Sequence, residues 1–114
     1  PAFWSRQSPF RAPLTLHKPE DIAHFYQTRL ALGLGGGLLV ANPVPENHEI
    51  PAEEMAGYIE AAQKAAEALN VTGKAVTPFL LGKILELTGG RSLKTNIALV
   101  ENNARLAAKI AKAL

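Results

Sequence analysis

The sequence predicts an α/β fold that is rich in helix, with one clear buried strand and two weaker ones. The run Leu38–Ala41 is apolar at every position, which is typical of a strand buried on both faces of a sheet. Apolar residues recur at helical spacing before and after this run. Prolines and glycines separate the segments, so we expect the order strand–helix–strand–helix–helix–helix around a thin mixed sheet.

The composition bounds the class of protein. A chain of 114 residues suits one domain or part of one. Hydrophobic residues at 47% and charged residues at 19% exclude extended disorder. The absence of Cys excludes a disulfide scaffold and a thiolate zinc site, and it fits a reducing, cytoplasmic location. The basic residues are spread along the chain and leave a net charge of only +2, so we expect no nucleic-acid partner.

No membrane partner is expected either. The longest uncharged apolar stretch, Leu30–Val44, is shorter than the roughly 20 residues that a membrane-spanning helix needs. No signal-peptide pattern opens the chain. It begins Pro-Ala-Phe-Trp, without Met and already in an apolar run, which we interpret as the start of a fragment.

The first half of the chain predicts two weak strands and one helix. The weak strands lie around Phe3–Arg6 and Leu14–Leu16, among prolines. Pro19 at a first helical position, followed by two acidic residues, is a favourable helix start. Gly33 ends that helix.

The second half predicts a loop and three helices. Val44–Pro51 carries several loop-forming residues, and Glu53–Asn70 is Ala-rich with apolar residues at helical spacing. Thr77, followed by a proline, is expected to cap the next helix. Gly89-Gly90 ends it, and Ser92 is expected to cap a last helix that runs to the C-terminus.

The glycine-rich segments and the histidines do not support a nucleotide or metal site. The glycines of Gly33–Gly37 precede the apolar run, whereas a dinucleotide fingerprint follows a strand. Gly73-Lys74 lacks the earlier glycine of a Walker loop, since Ala68 occupies that place. The three histidines form no HExxH pair. Turns and exposed faces explain these residues better than catalysis does.

Two asparagines are candidate ligand-binding residues. Asn42 ends the apolar run, and ligands of open α/β sheets bind beyond the carboxyl ends of strands. Asn96 is expected at the fourth position of the last helix, counted from Ser92. A carboxamide both donates and accepts, so it can bond the amide edge of a pyrimidine. Local capping or turn bonding is the alternative for both residues.

Four strings resemble motifs of the pseudouridine-5'-phosphate glycosidases, the indigoidine synthase A-like family. Gly36–Pro45 is similar to that family's GG-x-L-V-A-N-P-I-P, and Gly73–Leu81 to its G-K-x-x-T-P-F-L-L. Leu87–Leu93 is similar to L-T-G-G-x-S-L, and Asn96–Ala104 to N-I-A-L-V-x-N-N-A. Ser5–Ser8 also resembles the family's T-R-x-S. The strings follow the family's order over essentially the whole chain.

The resemblance implies that residues 1–114 are the C-terminal segment of a single α/β catalytic domain, without its N-terminal two-thirds. It implies a homotrimeric, manganese-dependent enzyme that reversibly cleaves the C–C glycosidic bond of pseudouridine 5'-phosphate, giving uracil and ribose 5-phosphate, in nucleotide catabolism. In the family a lysine forms an imine-type adduct with the ribose, a glutamate transfers protons and an aspartate holds the metal through water. An imine supplies the electron sink that a carbon leaving group needs.

The family's catalytic and metal-binding residues have no counterpart in this chain. Lys74 and Lys83 do not replace the lysine nucleophile. The family position that maps here is the asparagine opening N-I-A-L-V, which implies that Asn96 binds the substrate at its base. Asn42 is a weaker candidate, on position alone. Manganese is implied by the resemblance, with ligands outside this chain, and the chain alone is expected to be inactive.

Two other functions remain open. A different sugar-phosphate lyase on the same scaffold would keep the fold and change the base pocket. A non-catalytic interaction or oligomerisation domain would use the Ala-rich helices for packing against a partner.

Overall fold

Helices form all the regular structure of this chain. The computed structural model describes residues 1–114. It contains no strand, and its four α-helices are α1 (Pro19–Ala31), α2 (Ala52–Ala68), α3 (Val76–Leu87) and α4 (Arg91–Ala113). Single 3₁₀ turns at Glu46–His48 and Gly73–Ala75 precede α2 and α3.

The predicted α/β fold with a mixed sheet is therefore wrong. Leu38–Ala41, the expected buried strand, is irregular, and none of its backbone groups makes a hydrogen bond. Phe3–Arg6 and Leu14–Leu16 form no strand either. A strand requires a second segment to satisfy its backbone donors and acceptors. An apolar run predicts burial, but it does not supply that second segment, and this chain offers none.

The helices confirm the periodicity arguments. Pro19 is at the start of α1, with acidic residues in its first turn and Arg29 in its last turn, where the helix dipole favours these charges. In α2 the buried residues Met55, Ala62 and Ala66 follow helical spacing and form one apolar face. That face packs on α3.

Two predicted caps are each wrong by two residues. Gly90, at φ 87°, precedes α4, so Ser92 is its second residue and Asn96 its sixth. The backbone N–H of Ser92 donates to Thr88 Oγ1 at 3.1 Å, so Thr88 performs the capping role predicted for Ser92. Similarly α3 begins at Val76, and Thr77 is its second residue, because the preceding 3₁₀ turn leads directly into the helix.

The core lies between α2, α3 and the segment that precedes α2. Ile50, Met55, Ala62 and Ile84 form one buried cluster. Trp4 packs against it, together with Tyr58, Ile59 and Leu80. The second helix pair, α1 on α4, lies outside this cluster.

The chain is extended for its length. Its radius of gyration is 17.5 Å, and its principal dimensions are 54 × 31 × 22 Å. A self-contained domain of this length has a radius of gyration of about 13 Å. Only 12 residues are buried, so much of the apolar surface is exposed.

We expect Ile84→Ala to lower the free energy of unfolding by about 2–5 kcal/mol, because it leaves a cavity in the core cluster. Leu69→Ala, at a residue 67% exposed, is the matched control and is expected to change it by less than about 0.5 kcal/mol. Urea unfolding followed by circular dichroism measures both. Equal losses would show that the cluster is not the core of the folded chain.

Candidate functional site

Residues Asn42–Ile50, here named the anchored loop, lie against α4 through side-chain hydrogen bonds. Thr95 Oγ1 donates to the carbonyl of His48 at 2.8 Å, and Asn102 Nδ2 donates to the carbonyl of Pro43 at 3.0 Å. Asn42 Nδ2 donates to Asn103 Oδ1 at 3.1 Å. The loop is therefore fixed along two turns of α4.

The N-terminal segment holds the same loop from another side. Ser5 Oγ donates to the carbonyl of Ile50 at 2.7 Å, and the Ile50 N–H donates to the carbonyl of Trp4 at 2.9 Å. Arg6 Nη1 donates to the carbonyl of Val44 at 2.7 Å. Val44 and Ile50 are completely buried, so these contacts enclose both ends of the loop.

Arg91 links the start of α4 to the loop and to α2. Its Nη1 lies 2.6 Å from Glu54 Oε1, and its Nη2 donates to the carbonyl of Glu49 at 3.2 Å. The pair is partly exposed, so its contribution to stability is modest. It nevertheless joins the first residue of α4 to both α2 and the anchored loop.

Asn96 lies in the second turn of α4, not in the first as predicted, and its side chain is partly buried. Its Oδ1 is buried without a hydrogen-bond partner. A buried, unpaired amide oxygen costs about 1–3 kcal/mol. Such a group calls for a specific explanation, of which a ligand contact is one.

Asn42 has a structural partner, because its carboxamide is bonded to Asn103. Asn103 follows Asn96 by two turns of α4, roughly 10 Å along the axis and on the same side. Asn42 also borders an open concavity of about 960 Å³, whose lining includes Arg11 and His17. The two candidate asparagines are thus associated with one side of α4, but Asn96 does not line this concavity.

Sequence reasoning missed the anchoring roles of Thr95 and Asn102. Thr95 is 2% exposed, and Asn102 is partly buried. They are seven residues apart, so they lie on the same face of α4. Polar residues at that spacing, on the face of α4 that also carries the buried Ser92 and Ala98, were the available signal.

The other charged side chains described here do not form a catalytic site, in line with the expectation that Lys74 and Lys83 are not nucleophiles. Lys83 pairs with Glu86 at 3.0 Å and Arg105 with Glu101 at 3.0 Å, both along their own helices. Lys74 is exposed. No group of three or more His, Asp or Glu side chains is placed to hold a metal ion, so the residues of this chain do not fit a manganese site.

Two exposed side chains of α2, Glu60 and Lys64, have pKa values that are shifted by their contact with each other. A hydrogen bond from Lys64, reinforced by its charge, lowers the pKa of Glu60, and the same contact raises the pKa of Lys64. Lys64 Nζ lies 2.7 Å from Glu60 Oε1, and the two residues are one helical turn apart. This pair stabilises a helix surface and takes no part in the candidate site. Separately, no helix of the chain has the length and apolarity required to cross a membrane.

The model of the indigoidine synthase A like protein family matches residues 1–113. The chain belongs to this family. It is 94% identical over all 114 residues to a pseudouridine-5'-phosphate glycosidase of Mesorhizobium japonicum, and 65% identical over the same length to pseudouridine-5'-phosphate glycosidase 1 of Rhizobium johnstonii. It spans 37% and 36% of these relatives, little more than a third of their length. The resemblance found in the sequence motifs is thereby confirmed.

Two solved structures share the arrangement of the chain. A crystal structure of an indigoidine synthase A-like protein from Thermotoga maritima matches with a TM-score of 0.79 and 43% identity, over 97% of this chain and 36% of that one. The prealnumycin C-glycosynthase AlnA, solved with ribulose 5-phosphate, matches with a TM-score of 0.85 over 99% of this chain and 37% of that one. Its identity is 23%, so this likeness concerns the fold alone.

We expect Thr95→Val to lower the free energy of unfolding by about 1–3 kcal/mol, because it removes the donor to the His48 carbonyl and barely changes volume. Thr28→Val is the matched control, since Thr28 is exposed on α1. Thermal melting of both variants measures the difference. Identical melting temperatures would mean that the anchor on His48 does not contribute to stability.

Proposed function

We propose that this chain is the C-terminal segment of a pseudouridine-5'-phosphate glycosidase. The supporting observation is the 94% identity, over all 114 residues, to a relative that carries this name. The proposed reaction is the reversible cleavage of the C–C bond between ribose and base in pseudouridine 5'-phosphate. Its products are uracil and ribose 5-phosphate, and its place is cytoplasmic nucleotide catabolism.

The chemical step belongs to residues outside this chain. The chain spans 37% of the Mesorhizobium relative, and we propose that residues 1–114 form one segment of a single catalytic domain. The lysine–ribose adduct, the homotrimer and the manganese ion remain predictions of the family resemblance. No side chain described above is assigned to proton transfer or to metal binding.

The proposed role of this chain is to bind the base. Asn96 has a buried Oδ1 without a partner, and an N–H of uracil is a donor that could satisfy it. The Nδ2 group of the same carboxamide can donate to an adjacent carbonyl of the base. A bound uracil would thus remove the cost of an unpaired polar atom, which favours this residue over one that is already hydrogen-bonded.

Asn42 is the weaker site residue. Its carboxamide is used in the contact with Asn103, so a substrate contact would have to compete with an existing hydrogen bond. Its proposed contribution is to hold the anchored loop beside α4, which keeps the surroundings of Asn96 in place.

A different sugar-phosphate lyase or synthase on this scaffold is the second candidate. Such an enzyme would need the same scaffold, and a C-glycosynthase solved with ribulose 5-phosphate shares this fold. Assays of the complete polypeptide with pseudouridine 5'-phosphate, and in reverse with uracil and ribose 5-phosphate, distinguish the two. A non-catalytic interaction domain predicts neither activity, and the intact mass of the native protein would then equal that of this chain.

In the complete enzyme, Asn96→Asp and Asn96→Ala are expected to lower kcat/KM by roughly 5- to 150-fold, equivalent to about 1–3 kcal/mol. The carboxylate can only accept and places a negative charge against a carbonyl oxygen of the base. Thermal stability should stay nearly unchanged, because Oδ1 makes no hydrogen bond in the folded chain.

Asn102→Ala is the control for this comparison, because Asn102 holds the Pro43 carbonyl. It is expected to lower the melting temperature. Kinetics beside melting temperatures for the three variants test the assignment. Full activity with a large drop in melting temperature for the Asn96 variants would make that residue structural and remove it from the site.

The 114-residue chain alone is expected to release no uracil from pseudouridine 5'-phosphate, with or without manganese, because it lacks the family's lysine nucleophile and proton-transfer glutamate. An assay of uracil release by chromatography checks this, with the complete polypeptide as the positive control. Measurable turnover by the purified chain would contradict the proposed division of roles.

A further inference from the structure

Three side chains of α4 hold carbonyls of the anchored loop. Thr95 and Asn102 each donate to one of these carbonyls. Arg91 Nη2 donates to a third, that of Glu49, at 3.2 Å. Arg91 lies four residues before Thr95, and Asn102 lies seven residues after it, so all three side chains leave α4 on the same face. Bonds along one face resist rotation of the helix about its own axis.

Arg91 differs from the other two side chains because it holds a second element as well. Its Nη1 lies 2.6 Å from Glu54 Oε1, so one planar guanidinium connects α4 both to α2 and to the anchored loop. Thr95 and Asn102 each make a single bond to the loop. Arg91 therefore braces the first residue of α4 in two directions.

The turn before α4 is built from residues that restrict the backbone least. It ends in Gly89 and Gly90, whose φ angles are 57° and 87°. Because glycine is the most permissive residue, this turn allows a range of angles between α3 and α4. A contact from outside the turn, such as that of Arg91 with α2, narrows this range.

The position of the Asn96 carboxamide is sensitive to a small rotation of α4. Asn96 follows Thr95, so its side chain leaves the helix about 100° around the axis from the face that holds the loop. Side-chain ends lie about 5–6 Å from the helix axis, so a rotation of roughly 10° moves the carboxamide by ~1 Å. A misplacement of that size in an active site costs up to about 100-fold in rate.

We propose that Arg91 is a positioning residue for Asn96: it prevents rotation of α4 and so holds the carboxamide against the base, without touching the substrate. The inference rests on the proposed function, in which Asn96 binds the base. Arg91 suits a test of this role, because its side chain is 48% exposed and exposed ion pairs add little stability. Thr95 is buried and Asn102 partly buried, so their replacement changes folding as well as position.

The test uses a complete polypeptide, in which this chain is joined to the part of the Mesorhizobium japonicum relative that it does not cover. Arg91→Ala is expected to lower kcat/KM for pseudouridine 5'-phosphate by at least about 10-fold. Its melting temperature is expected to shift by less than about 3 °C. Arg105→Ala is the matched control, because Arg105 also pairs with a glutamate, Glu101, but holds no loop carbonyl. It is expected to change neither quantity.

A double-mutant cycle separates positioning from a general structural effect. In an Asn96→Ala background the carboxamide is absent, so adding Arg91→Ala is expected to change kcat/KM by less than about 2-fold. Losses that simply add in the double variant would overturn the proposal. A fall in the melting temperature of Arg91→Ala large enough to unfold the protein at the assay temperature would also overturn it, because Arg91 would then be structural.

Crystal structures of the complete parent polypeptide and of Arg91→Ala provide a readout that does not depend on the reaction. An inactive parent polypeptide would contradict the proposed function, and these structures would then decide the positioning role alone. We expect the Asn96 carboxamide of the variant to move by ~1 Å or more relative to the core cluster, or to occupy more than one position. A carboxamide that stays in place would overturn the positioning role, whatever the activity.

Discussion

Hydrogen bonds from side chains to the carbonyls of the anchored loop are the constraint on which the rest of this chain depends. The loop has no neighbouring strand, so the side chains of Thr95, Asn102, Ser5 and Arg6 satisfy its backbone oxygens. Each bond joins segments at least 38 residues apart in sequence. These bonds position the buried Val44 and Ile50, and Ile50 in turn contributes to the core between α2 and α3. Loss of the loop would therefore remove these links between α4 and the core, and leave α4 held by α1, α3 and the Arg91–Glu54 pair.

The same helix that anchors the loop carries the candidate site. Asn96 follows Thr95 directly and precedes Asn102, so it lies between two residues that fix α4 against the loop. Its position is set by its neighbours and not by a hydrogen bond to its own carboxamide oxygen, which has no hydrogen-bond partner. A side chain held in this way can be oriented toward a ligand while its carboxamide oxygen stays free to accept a hydrogen bond from that ligand.

Local signals in the sequence predicted the helices, and non-local pairing explains the errors. Pro19 with the acidic residues that follow it, and the apolar spacing in α2, are properties of residues close in sequence. They were sufficient to predict helices at these places. The strand predicted at Leu38–Ala41 would have required a second segment to pair with its backbone, and the hydrophobicity of a run does not show whether such a segment exists. Gly90 shifted the start of α4 because its left-handed φ of 87° allows the helix to begin before the predicted cap. The candidate asparagines were selected by chemistry and family motifs. The helical spacing of Thr95 and Asn102 was visible in the sequence, but it does not show which distant carbonyls they bind.

The packing of α1 on α4 has a consequence for synthesis on the ribosome. The first helix contacts the last one, and Gln27 Nε2 donates to the carbonyl of Leu114, 87 residues later. At roughly 5–20 residues per second, translation of that interval takes about 4–17 s. During this time α1 has left the ribosome without its partner helix, while α2 and α3, adjacent in sequence, can already pair. Of the four helices described here, α1 thus waits longest for its partner, and this is the stage at which a chaperone would have the greatest effect on yield.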